Sequence, residues 1–278
     1  MALLTPAGVR SLLDEYGLRP SRALGQHFLA DPNTARRVAR LAGVGPGDRV
    51  LEIGPGLGSL TLALLESGAR VVALEMDRHL APVLEHVLSE ADGDARVVVD
   101  DALHTDYRAL LGDGRWRCVS NLPYNIATPV VMTLLEHAPM VETILVMVQR
   151  EVGERLAASP GSRAYGAVSV KLAYFATARV VGTVPPTVFV PKPKVESVLV
   201  ELVRRDTPSV DVPSRDELFA LVQAGFAHRR KMLRQSMRGV LGEEAVDVLA
   251  RAGIDPEARA ETLALDDWAS LARAASAR

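Results

Sequence analysis

The sequence predicts an α/β protein: a mostly parallel, seven-stranded sheet with helices on its faces, followed by a small all-helical domain. Three observations carry this. Short apolar runs of buried-strand type alternate with helical stretches through most of the chain. "EIGPGLGS" sets Gly54, Gly56 and Gly58 between the first such run and a helix, as at a strand-to-helix turn. A polar segment, "RRDTPSVDVPSRDE", has prolines and charges but no apolar period, and only helical patterns follow it.

In chain order, Leu3 to Tyr16 reads as an amphipathic helix and "GLRPSRALGQHFLADP" as a loop. Asp31 then Pro32 supply an N-cap and a first helical residue, predicting a helix to about Ala42. "GVGPGDR" breaks the chain before "VLEIG", the first strand, and "LTLALLES" continues beyond the glycines as a helix. "ARVVALEMD", "ARVVVDDAL", "WRCVSNLP" and "ETILVMVQ" read as the next four strands, with helical segments between most of them. From Ala164 to Ala178 the period favours helix. "ARVVGTVPP" and "ESVLVELVRR" then read as two closing strands joined by the loop "PPTVFVPKPKV". With the boundary in the polar segment, the domains are 1–205 and 212–278; in the second, Leu218 to Met237, Glu243 to Ala252 and Asp266 to Ala275 read as helices.

Composition narrows the function classes. The 278 residues suffice for a large core, and a net charge of −2 excludes a uniformly basic binder of nucleic acid. Any such surface must be a local patch. Cys118 is the lone cysteine, which excludes an internal disulfide and suits a reducing cytoplasm. No apolar run approaches the roughly 18 residues of a membrane span, and "MALLTPAGVRS" lacks a signal-peptide pattern. The histidines are scattered, with no metal-ligand spacing, so no metal is expected.

Glycines after a first strand let the backbone approach a ligand at a helix N-terminus; a bare tight turn, or a dinucleotide site, is the alternative. Glu75 ends the second strand about twenty residues on, where a carboxylate can accept from both ribose hydroxyls. Asp101, in "DDAL", ends the third, where it either accepts from the amine of a bound adenine or simply terminates the strand. The fourth strand delivers "NLPY" to the same rim. An adenine amine is a poor nucleophile because its lone pair is delocalised into the ring. Two neutral acceptors, the Asn121 side-chain oxygen and the Leu122 carbonyl, could hold that nitrogen closer to tetrahedral. Pro123 would fix the turn and Tyr124 would stack on the base, worth roughly 1–3 kcal/mol. The plainer reading is a strand-to-helix turn capped by Asn125 or Thr128.

"GQHFLAD", "EIGPGLGSLT", "ALEMD", "DDAL", "NLPYNIATP", "VPPTVFVPKPKVESVLV" and "FAHRRKMLRQSM" occur in this order across most of the chain. Together they resemble the small-subunit ribosomal RNA adenine dimethyltransferase family. The resemblance implies a Rossmann-like methyltransferase domain, S-adenosylmethionine as methyl donor, and dimethylation of two adjacent adenines in the hairpin near the 3′ end of that RNA. It implies cofactor contacts from Gln26, His27, Leu29, Gly54, Gly56, Glu75, Met76, Asp101, Ala102 and Asn121, with Asn121, Leu122, Pro123 and Tyr124 at the reacting base and Phe189, which without the resemblance reads as core, closing opposite Tyr124. Arg229, Arg230, Lys231 and Arg234, in the acid-free run "HRRKMLRQSMR", are the expected phosphate contacts, with a solvated helix face as the plainer reading. The implied protein is a monomer acting on the small ribosomal subunit in the cytoplasm. A large-subunit enzyme of the antibiotic-resistance type and an assembly factor whose binding matters more than methylation are the alternatives.

Overall fold

The computed structural model describes residues 3–21, 24–228 and 230–277. Among the described residues nine strands are formed: β1 (Phe28–Leu29), β2 (Arg49–Ile53), β3 (Arg70–Glu75), β4 (Asp94–Val99), β5 (Trp116–Asn121), β6 (Val141–Gln149), β7 (Ala176–Val184), β8 (Phe189–Val190) and β9 (Ser197–Arg204). Seven make one sheet in the order β4-β3-β2-β5-β6-β9-β7, parallel from β4 to β6, with β9 antiparallel to β6. Val50, Leu51 and Ile53 of β2 are all buried, as a central strand covered on both faces requires. The chain leaves β2 to β3 on one side and returns to β5 on the other. That reversal opens a crevice beyond the C-terminal ends of β2 and β5.

β1 and β8 form a separate antiparallel pair, Phe28 opposite Val190 and Leu29 opposite Phe189. Both segments read as loops in the sequence, because two-residue strands are too short to show a period. The helix Pro32–Leu41 begins as its sequence predicts: Asp31 accepts from the Thr34 N–H at 2.8 Å, with proline in the first turn.

The helix Ala127–His137 is closed by an unusual cap. Arg204, at the end of β9, donates to the carbonyls of Leu134, Leu135, Ala138 and Val141 at 2.9–3.2 Å. A guanidinium suits this position because the last carbonyls of a helix lack partners and carry partial negative charge. Arg204→Met is therefore expected to cost about 2–3 kcal/mol of stability. In thermal melts this should read as a Tm about 5–10 °C lower; an unchanged Tm would show that solvent serves these carbonyls equally well.

The chain divides into two compact units: Met1–Gly153 with Arg179–Arg204, and Glu154–Ala178 with Arg205–Arg278. Glu154–Ala178 groups with the C-terminal unit, whereas the sequence reading includes it in 1–205. The reason is packing: Tyr165, Val170 and Tyr174 share a core with Leu218, Leu221 and Trp268. The Tyr165 hydroxyl also donates to the Leu263 carbonyl at 3.0 Å.

The helix expected from Leu218 to Met237 is broken. A helix runs Arg215–Ala227, and a second, Leu233–Ser236, begins after an extended Met232. Leu233 is fully buried, and the Leu233 and Arg234 N–H groups donate to the Ala258 and Pro256 carbonyls, each at 2.9 Å. These partners outside the helix replace the bonds a continuous helix would have made.

Candidate active site

β2 ends at Ile53, and the chain turns through Gly54, Gly56 and Gly58 at φ 68°, 60° and 88° before the helix Ser59–Glu66. Side chains rarely adopt this left-handed region. Space matters as well: a Cβ on Gly56 would stand 2.9 Å from the Phe28 ring, and one on Gly54 would stand 3.1 Å from Cδ of Pro123. The loop is thus wedged between β1 and the turn after β5. The Ser59 hydroxyl donates to the Leu29 carbonyl and ties the helix start to β1.

Glu75, the last residue of β3, is buried. Its two oxygens accept from the N–H groups of Gly56 at 3.1 Å and Asp77 at 2.9 Å, so the carboxylate clamps the glycine loop. Each carboxylate oxygen has two acceptor sites, which leaves capacity for ribose hydroxyls. Burial raises the pKa of Glu75, while those N–H donors oppose the rise. Asp101, two residues beyond β4, accepts from the Leu103 N–H at 2.9 Å and from His104 Nδ1 at 2.8 Å. Led by the Leu103 N–H, these contacts hold its carboxyl below the usual range, so it stays charged.

Asn121 closes β5. Its Nδ2 donates to the His27 carbonyl at 3.1 Å. Because a carbonyl can only accept, this contact settles the amide's orientation and leaves Oδ1 as the acceptor. Leu122 has a buried side chain, and its N–H donates to the Met147 carbonyl at 3.2 Å. The Pro123 carbonyl accepts from the Ile126 N–H and closes the turn. The next helix has Ile126 as its N-cap, whose side chain makes no cap bond. Tyr124 is half-buried; its hydroxyl meets Ser197 Oγ at 2.8 Å and its ring lies 5.2 Å from that of His27, tilted by 31°. His27 Nδ1 must carry the proton, since it donates to the Pro191 carbonyl at 2.7 Å.

These groups surround one cavity of about 250 Å³. Gln26, His27, Leu29, Gly54, Gly56, Glu75, Met76, Asp101 and Asn121 all line it, as do Leu122, Pro123 and Tyr124. Two expected residues do not. Ala102 is buried, its carbonyl accepting from the Tyr107 hydroxyl at 2.6 Å. Phe189 is 3% exposed and belongs to the core, because its pairing with Leu29 turns it inward. In the other unit, Arg230, Lys231 and Arg234 are exposed; Arg229 lies outside the described residues. Gln26 reaches the site through Asp77, to which Nε2 donates at 2.9 Å.

Sequence reasoning missed Glu52. It lines the cavity from the middle of β2, is 1% exposed, and its Oε2 is buried without a hydrogen-bond partner among the described residues. The available signal was an acid inside the buried run "VLEIG". A buried acceptor aimed at a cavity fits the positively charged end of a ligand. Burial, reinforced by the charge of Glu75, pushes the Glu52 carboxyl up to about 8.

That shift makes stability pH-dependent. The folded protein keeps a proton that the unfolded chain loses above about 4.5, so the contribution is full below that pH and is lost as pH rises through 8. The Tm of Glu52→Gln should therefore gain on that of the parent between pH 5 and 8.5. A difference that stays flat with pH would place the ionised carboxylate in the folded state throughout.

Comparison with known proteins agrees with this geometry. A family model described as ribosomal RNA adenine dimethylase matches residues 18–276. A ribosomal RNA small subunit methyltransferase A from Cutibacterium acnes is 48% identical, over 98% of this chain and 94% of that protein. The protein of the same name from Thermobifida fusca is 49% identical, over 97% and 95%. Among solved structures, a dimethyladenosine transferase from Plasmodium falciparum matches with a TM-score of 0.74 at 25% identity, covering 88% of this chain and 96% of that one. The 23S rRNA methyltransferase ErmE matches with a TM-score of 0.68 at 26% identity, covering 90% and 99%. The chain belongs to the ribosomal RNA adenine dimethylase family.

Proposed function

We propose that the protein dimethylates N6 of two adjacent adenines in the 3′-terminal hairpin loop of small-subunit ribosomal RNA, with S-adenosylmethionine as donor. One observation carries the chemistry: the Asn121 amide is locked by its bond to the His27 carbonyl, so an uncharged oxygen is presented at the rim shared by Glu75, Asp101 and the glycine loop. The names of the relatives in Cutibacterium and Thermobifida favour the small subunit over the large.

The residues fit the cofactor. Glu75 retains acceptor sites for ribose hydroxyls, Asp101 is a charged acceptor for an adenine amine, and Glu52 answers a cationic end. When bound, S-adenosylmethionine supplies an electrophilic methyl group on a sulfonium sulfur. The protein's part is to prepare the nucleophile. The target base must first leave its stack, at a cost of a few kcal/mol that is smaller in a loop. Tyr124 then stacks on it, while Asn121 Oδ1 and the Leu122 carbonyl accept the two N6 hydrogens. Gripped in this way, the nitrogen has its lone pair turned out of conjugation. A neutral amide serves where a third buried carboxylate, beside Glu52 and Glu75, would be costly. The proton lost after attack leaves to water, and no general base is needed.

In the C-terminal unit, Arg230, Lys231 and Arg234 would contact RNA phosphates. Arg234 lies 3.6 Å from Glu257, but both side chains are exposed and such a pair is weak. The protein would act as a monomer on small subunits in the cytoplasm. Incubation with labelled S-adenosylmethionine and unmethylated small subunits tests the proposal. Label is expected on two neighbouring adenines near the 3′ end; label confined to another RNA or to protein would refute it.

A further inference from the structure

Only four lysines occur in the chain, Lys171, Lys192, Lys194 and Lys231, and two of them lie in a single short segment beside the cavity. The segment runs from Pro191 to Glu196 and is anchored at both ends on residues of the site. At one end the Pro191 carbonyl accepts from His27, directly after β8 pairs with β1. At the other, Ser197, fully buried, meets the Tyr124 hydroxyl at 2.8 Å. Between these anchors Lys192 and Lys194 are exposed, and neither ammonium has a carboxylate partner among the described residues. The segment's one acid, Glu196, is held by Arg150 at 2.6 Å. The arch thus carries two uncompensated positive charges in a protein of net charge −2.

We infer that Lys192 and Lys194 form a phosphate-binding arch that grips the RNA backbone flanking the adenine under attack. This inference rests on the reading of RNA as substrate. It assigns to the catalytic unit a contact that the sequence places only in the C-terminal run. The pairing of charge with anchorage supports it: a solvated loop would have no need of ties to both His27 and Tyr124, the two rings at the site. Ammonium groups held there offer charge without base preference, so the arch would steady the strand while Asn121 and Tyr124 select the base.

The test uses the full chain with Lys192 and Lys194 both changed to Gln, or both to Arg. Binding of a synthetic unmethylated RNA hairpin carrying two adjacent loop adenines is followed by fluorescence anisotropy across a salt series. The Gln variant should bind about ten-fold more weakly at low salt, with a log K against log salt slope shallower by about 1.4, roughly 0.7 for each single-strand phosphate that is no longer neutralised. The Arg variant should keep the parental slope. Cofactor affinity and Tm should not change in either, because both side chains are exposed. A parental slope in the Gln variant, or equal weakening in both variants, would overturn the arch while leaving methylation by the parent protein intact. Failure of the parent to methylate any ribosomal RNA would instead remove the functional reading, and the inference with it.

Discussion

Asn121→Ala is expected to lower both methyl transfers by about 10²–10³-fold, the scale seen when one preorganised hydrogen-bonding group is removed from a reacting centre. Two effects combine. The acceptor for one N6 hydrogen is gone, so the amine relaxes to its planar, conjugated form. The His27 carbonyl, bonded at 3.1 Å by Asn121 Nδ2, also loses its donor. Asn121→Asp separates the two effects. It keeps an oxygen acceptor and nearly the same volume, but the carboxylate cannot donate to the His27 carbonyl and adds negative charge near Glu52 and Glu75. It too should be inactive, and its Tm should fall more at high pH than at low. Nucleoside analysis of the RNA checks both variants: neither monomethyl nor dimethyl adenine should accumulate. Activity retained by the Asp variant would mean that the acceptor alone matters and the anchor does not.

Tyr124→Ala should divide the two transfers. Stacking on the base is worth roughly 1–3 kcal/mol, so its removal costs about 5- to 150-fold in rate. The cost should fall mainly on the second transfer. After the first, one N6 hydrogen remains, one of the two acceptors is idle, and the base is held chiefly by the ring. Monomethyl adenine should therefore accumulate. Tyr124→Phe gives up the 2.8 Å hydrogen bond to Ser197 but keeps the ring and its packing near His27, and should behave nearly as the parent. Equal proportions of dimethyl product from the Ala variant and the parent would refute this division of labour.

Much of the site was legible because it sits at strand ends, where local pattern and chemistry coincide. The glycines after "VLEI", Glu75 after "VVAL" and Asn121 after "RCVS" each follow an apolar run, and the strand order brings those ends together. The Asp31–Pro32 helix start was legible for the same reason: the cap is a bond across three residues. What escaped depends on partners distant in sequence. β1 and β8 pair across about 160 residues with two residues each, too few to show alternation. That pairing turns Phe189 into the core, as its residue type alone suggests and the family resemblance does not. The break after Ala227 is made by carbonyls at Pro256 and Ala258, and the placement of Glu154–Ala178 by a core shared with Trp268. Glu52 looked like one more residue of a buried strand. Its importance lies in a buried oxygen, Oε2, without a hydrogen-bond partner among the described residues, a property that exists only once the neighbours are in place.

The most direct test of the account is a crystal structure of the protein with S-adenosylhomocysteine bound. The account predicts ribose hydroxyls on Glu75, the adenine amine near Asp101, and the thioether sulfur turned towards Asn121 and Tyr124. A ligand seated elsewhere, or one whose sulfur faces away from the Asn121 amide oxygen, would contradict it.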